Sequence, residues 1–213
     1  ATPSHSTLTL EGYSSSRITQ DSADGIEPLD DIPADVKSEF SQLGDGHRIA
    51  SAHDGYRQSH GLTHVRTLDL AHDGRGVASE DLLTILDKQD EPVFDRALDR
   101  AALQGVSWSV RFHLHPEVMA SVDLGGAAIS LTLKSGEIWV FRQDGAENMG
   151  LEPSVYLEYG RLRPRATQQV VLSGRAMSYS TRVRWSLTKA QDTPLAVRDW
   201  DDRVPEALAD TDD

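Results

Sequence analysis

The chain has 213 residues, 34 acidic and 21 basic, and a net charge of −13 with its eight histidines neutral. That length suits one large domain or two small ones, and so acidic a chain argues against non-specific nucleic-acid binding and against docking on anionic lipids. No cysteine is present, which excludes disulfides, thiolate metal centres and cysteine nucleophiles, and no run approaches the roughly 20 apolar residues of a membrane-spanning helix.

In chain order, Leu8 and Leu10 alternate with Thr7, Thr9 and Glu11, the pattern of a half-buried strand. Residues 12–31 are rich in Ser, Asp and Gly and read as loop. Pro33 to Phe40 predicts a short helix with proline in its first turn. A strand follows over His47–His53, closed by a turn at Asp54-Gly55. Over Leu62–Leu70 the alternation places Leu62, His64, Arg66, Leu68 and Leu70 on one face. Asp73-Gly74 is the next turn and Leu82–Leu86 the next strand. Val93, Phe94, Ala97, Leu98, Ala101 and Ala102 recur at helical spacing, which predicts a helix over 92–104 ended by Gly105.

From Val106 the pattern is β. Val106–His115 reads as one long strand with Trp108, Val110, Phe112 and Leu114 on one face and Ser109, Arg111, His113 and His115 on the other. Strands follow over 127–134, 137–142, 154–159, 167–172 and 180–189, with turns at Ser135-Gly136, Asp144-Gly145, Gly160 and Ser173-Gly174. Trp139, Trp185 and Tyr156 are the expected bulk of a core between sheets. The fold class is therefore all-β: an antiparallel sandwich of many strands with one or two short helices. The domain spans 1–198, and the acidic stretch 199–213 is expected to be a disordered tail.

No Walker loop, dinucleotide fingerprint, HExxH motif or nucleophile elbow is present. The residues that stand out are histidines in β context. His53 and Tyr56, with His64 and Arg66 on the next strand, come to one rim if the two strands form a hairpin. A guanidinium there gives two donors to a carboxylate, and His or Tyr moves protons. The plain alternative is that His53 and Tyr56 close the turn and Arg66 pairs with a nearby acid. His113 and His115 sit two apart on a strand, their rings roughly 7 Å apart on one face, as for two ligands of a metal that still lacks a third.

Ser4-His5-Ser6-Thr7-Leu8 and the serine turn of Gly12–Ser16 resemble consecutive segments of the heparinase II/III-like polysaccharide lyases. His53-Asp54-Gly55-Tyr56, Gly61-Leu62, His64, Arg66, Asp73-Gly74 and Glu80-Asp81 are similar to that family's next block. Arg111–Pro116, Gly136–Trp139, Leu151–Tyr156 and Val183–Trp185 extend the likeness over most of residues 4–189. The resemblance implies an antiparallel β-sandwich that follows an α/α toroid in the intact parent, with the toroid absent here. It also implies β-elimination on an acidic, uronate-containing polysaccharide. Donors neutralise the uronate carboxylate so that a Tyr or His can remove the C5 proton.

The family's His-x-His-x-Asp strand would precede Ala1, and position 1 is not a methionine, so a processed or truncated chain is expected. His113 and His115 stand too late to be that motif. The resemblance therefore assigns no catalytic residue here. His53, Tyr56, His64 and Arg66 are candidates for contacting sugar or for holding the fold. His5 matches a histidine that joins upstream ligands around zinc in metal-containing members, so the resemblance implies no cofactor in this chain and a structural zinc in metal-containing forms of the intact parent. The implied partners are the acidic polysaccharide and the upstream toroid, with no nucleic acid and no membrane insertion; the implied location is periplasmic or secreted. The alternatives are a non-catalytic carbohydrate-binding or structural sandwich, and a metal module built on His113, His115 and His53 or His64.

Overall fold

A computed structural model describes residues 2–18, 29–30, 32–160 and 162–190. The expected boundary at 198 and the tail 199–213 lie outside these. The strands are β1 (Leu8–Leu10), β2 (Arg17–Ile18), β3 (Leu29–Asp30), β4 (Val36–Gln42), β5 (Gly46–Tyr56), β6 (Leu62–Ala71), β7 (Gly76–Thr84), β8 (Val106–His113), β9 (Met119–Asp123), β10 (Ala128–Thr132), β11 (Ile138–Asp144), β12 (Asn148–Tyr156), β13 (Arg165–Ala176) and β14 (Ser180–Lys189). Among the described residues two α-helices, α1 (Arg57–His60) and α2 (Glu91–Arg100), interrupt them. The pairings within the two main sheets are antiparallel: a small sheet in the order β1-β8-β13-β12 and a large one in the order β4-β5-β6-β7-β14-β11-β10-β9. Leu8, Leu10, Val110 and Leu172 of the small sheet share one core with Leu83, Ile129, Phe141 and Trp185 of the large one. The all-β sandwich expected from the alternation is the observed architecture.

Several local expectations differ, each for a packing reason. Residues 36–42 form an edge strand and not a helix. Val36, Ser38 and Phe40 alternate with Lys37 and Glu39, and this period of two is satisfied by pairing with β5. Asp54-Gly55 is not the turn. The strand runs on through a bulge to Tyr56, and the chain reverses in α1, ended by Gly61 at φ 69. A Cβ on Gly55 would lie 2.7 Å from the Ser15 carbonyl oxygen, so glycine at 55 serves close approach. The helix expected over 92–104 stops at Arg100, because Ala102 and Leu103 adopt left-handed conformations before Gly105. The strand at 106 ends at His113, short of His115. Tyr156 lies half-buried against His115 and outside the core, whereas Trp185 is central to it. The short strands β2, β3 and β9 were not foreseen.

Ser173-Gly174 is likewise no turn but part of β13. Gly174 faces Trp108 in the register, and a Cβ there would lie 2.6 Å from the indole ring. Gly174→Ala is expected to cost about 1–3 kcal/mol, since the central strand cannot retreat. Denaturant unfolding checks it: the cost should shrink when Trp108→Leu is present, and an equal cost in both backgrounds would show that the ring is not the cause.

Candidate functional site

The directly opposed pair His53–His64 joins β5 to β6, and Arg66 opposes Asp81 on β7. Side chains opposed across a sheet share a face, so His53, His64, Arg66 and Asp81 all point to the inner face. Asp81 is fully buried and is the only buried acid among the described residues. Its Oδ1 accepts from His64 Nε2 at 2.7 Å and from Arg66 Nε at 2.7 Å. Its Oδ2 accepts from Arg66 Nη2 at 2.9 Å and from the Trp185 indole at 2.9 Å. The guanidinium also lies 5.8 Å from the centre of the Trp185 ring.

The tautomers follow from the donors. The Gly55 amide donates to His53 Nδ1 at 3.2 Å, so the proton of His53 is on Nε2. That nitrogen faces His64 Nδ1 at 3.2 Å, which therefore accepts and leaves His64 Nε2 to donate to Asp81. The Asp81 carboxylate thus receives both the His64 N–H and the Arg66 guanidinium. Burial, then the neighbouring His64, pushes the pKa of His53 down to about 4. Burial alone would raise the Asp81 carboxyl, but the His64 hydrogen bond and the charge and hydrogen bonds of Arg66 outweigh it and hold the group below the usual carboxylate range.

The network ends on the segment that carries His5. Arg66 Nη1 donates to the Ser6 carbonyl at 2.8 Å, and the Tyr56 hydroxyl donates to the Leu8 carbonyl at 3.1 Å. Burial pushes the Tyr56 phenol up to about 12, so it keeps the proton it donates. From the other sheet the His113 amide donates to Ser6 Oγ, and His113 Nε2 lies 3.1 Å from the Pro3 carbonyl. His5 itself is exposed. The sequence thus anticipated the meeting of His53, Tyr56, His64 and Arg66, and its plain alternative for Arg66, pairing with an acid, is what is found. It missed Asp81 and Trp185 as the hub. The available signal was the inward face shared by His64 and Arg66, which required a buried carboxylate on the adjacent strand.

The metal readings fare differently. His113 Nδ1 is 2.8 Å from Ser154 Oγ, whereas His115 lies beyond the strand end, with Nδ1 accepting from the Glu117 amide. The two do not share a strand face. Among the described residues no group of three or more His, Cys, Asp or Glu could hold a metal. The described residues therefore do not by themselves make the zinc site that the resemblance implies around His5.

An open groove of about 600 Å³ lies over the outer face of the small sheet. Arg111 stands in it, its Nη1 donating to Thr9 Oγ1 at 2.9 Å, with Arg175 nearby. Glu11, Glu147 and Glu152 line it too, so acids outnumber arginines and the groove does not favour a polyanion.

A family model described as "Heparinase II/III-like, C-terminal" matches residues 1–186. A curated relative, FtsZ-localized protein C of Caulobacter vibrioides, is 34% identical over 143 residues, which is 65% of this chain and 23% of that protein. Heparan sulfate lyase HepC from Pedobacter heparinus is similar in structure with a TM-score of 0.58 at 10% identity, over 87% of this chain and 24% of that one. A structure of heparinase III gives 0.55 at 13% identity, over 87% of this chain and 23% of that one. At such identities the structural likeness establishes the fold. The chain spans about a quarter of the length of the relatives it matches.

Proposed function

The chain belongs to the heparinase II/III-like, C-terminal family, and from that premise we propose that it is the β-sandwich part of a longer polypeptide that cleaves an acidic, uronate-containing polysaccharide by β-elimination. The observation that carries this reading is where the buried network ends. Asp81 holds Arg66, and Arg66 with Tyr56 fixes the carbonyls of Ser6 and Leu8, so the exposed His5 stands on an anchored segment.

In this reading His5 is the side chain that the sandwich presents to a cleft completed by the upstream part. His53, Tyr56, His64 and Arg66 act as positioning residues behind it. The base that removes the C5 proton and the donors that neutralise the uronate carboxylate come from upstream, and the chain alone is inactive. A periplasmic or secreted location goes with such a substrate.

The test is ultraviolet detection of unsaturated uronate, with the chain and its intact parent run side by side on a panel of acidic polysaccharides. Product from the parent and none from the chain is the expected result. A second reading, a non-catalytic module, is favoured by the 34% identity to a relative named for localisation with FtsZ, against 10–13% for the lyase structures. Absence of product from a folded parent on every polymer would select it.

A further inference from the structure

The two sheets differ in width, four strands against eight, and the inner face of the large sheet emerges from under the small one. One cross-strand row runs Trp185, Ser79, Leu68, Ile49, Phe40 by direct register. Along it exposure climbs from 9% at Trp185 and 7% at Ser79 to 43% at Ile49 and 65% at Phe40. A parallel row runs from Phe141, 2% exposed, through Leu187 and Val77 to Leu70, 47% exposed. The opposite face of the same strands carries Lys37, Glu39, Arg48, Thr67 and Asp69. The apolar exposure is therefore one-sided and continuous with the core, which scattered surface residues are not.

The small sheet cannot grow to cover it. Along the outer edge of β1 the Ser6 carbonyl is taken by Arg66, the Leu8 carbonyl by Tyr56 and the Leu10 carbonyl by the Tyr13 amide. A strand added there would find these acceptors engaged. We infer that the patch around Phe40, Ile49 and Leu70 seats the preceding part of the same polypeptide, docked face-on through an apolar surface and not as a fifth strand of the small sheet. The inference rests on the reading that the chain is part of a longer protein. It is favoured over a second copy because the patch continues this chain's own core, and because the matched relatives are about four times as long.

Phe40→Asp separates the occupants. It is made in the intact parent and in this chain, and thermal unfolding and mass at several concentrations are measured for both. The expected result is a Tm lowered by at least about 3 °C in the parent and within about 1 °C of wild type in the chain, where Phe40 is already exposed. Amide exchange is the second readout and needs no variant: β4 and the first half of β5 should be slower in the parent. Equal loss in both proteins would mean that the chain covers the patch itself, and no loss in either would mean that nothing covers it. A concentration-dependent dimer of the chain, abolished by Phe40→Asp, would assign the patch to a second copy. Each of these three results overturns the inference. A parent without lyase activity would leave it standing, because no readout here uses a substrate.

Discussion

Asp81→Ala is expected to destabilise the chain by about 3–5 kcal/mol, a large part of the 5–15 kcal/mol available to a typical domain. The substitution removes no exposed group. It strips the only carboxylate from Arg66, the acceptor from His64 and the acceptor from the Trp185 indole at one stroke. The guanidinium, with its side chain 16% exposed, is left with the Ser6 carbonyl as its remaining partner here. Most of the cost is that of a poorly solvated, unpaired cation, not the net worth of the ion pair. Asp81→Asn keeps the shape but not the charge and should cost nearly as much. Combining Asp81→Leu with Arg66→Met should recover part of the loss, because no unpaired charge remains. Urea unfolding followed by tryptophan fluorescence measures all three. A loss under about 1 kcal/mol for Asp81→Ala would show that the hub does not hold the sheet.

Acid should weaken the fold well before its carboxylates titrate. His60 is 5% exposed, its Nδ1 lies 2.8 Å from Ser59 Oγ, and the Tyr13 ring meets it edge-on with centroids 4.5 Å apart. Ser59 gives its own proton to the Tyr56 carbonyl, so His60 Nδ1 is the donor in their contact. Burial, then the nearby Arg100, pushes its pKa from 6.5 down to about 4. A folded-state pKa below the unfolded one means that the unfolded chain takes up the proton first. The stabilisation is complete above pH 6.5 and is lost as the pH falls toward 4.

For His60 the loss amounts to about 3 kcal/mol by pH 4, at roughly 1.4 kcal/mol per pH unit. His53 adds in the same direction, since its pKa is pushed down to about 4 as well. The depressed Asp81 carboxyl adds its own loss only as the pH falls below the ordinary carboxylate value of 3.8. Unfolding free energies at pH 7.5 and pH 4 should therefore differ by about 3 kcal/mol less in His60→Gln than in wild type. Parallel pH dependences would show that His60 is not the group responsible.

What could be read in the chain beforehand follows from the range of each signal. The face of β6 from Leu62 to Leu70 and the full extent of β14 were legible, because alternation over ten residues is a local property. Glycine was the misleading signal. Gly55 and Gly174 look like turn residues, yet both lie inside strands, where Ser15 and the Trp108 ring leave no room for a Cβ. These neighbours are distant in sequence, so no window around the glycine contains the reason. Proline at 33 misled similarly: a helix start and the approach to an edge strand read alike until β5 is there to pair with.

The sequence by itself determined the all-β class, the family likeness and the gathering of His53, His64 and Arg66 on one hairpin face, since each depends on residue order and short spacing. Only the tertiary structure decided what those residues do. Asp81 lies 15 residues from Arg66, Trp185 lies 104 from Asp81, and the Ser6 carbonyl lies 60 from the guanidinium that holds it. It also decided that the sandwich is uneven and leaves Phe40 and Ile49 bare. Burial is a property of what packs above a residue, and the alternation that marks an inward face does not reveal whether a second sheet reaches far enough to cover it.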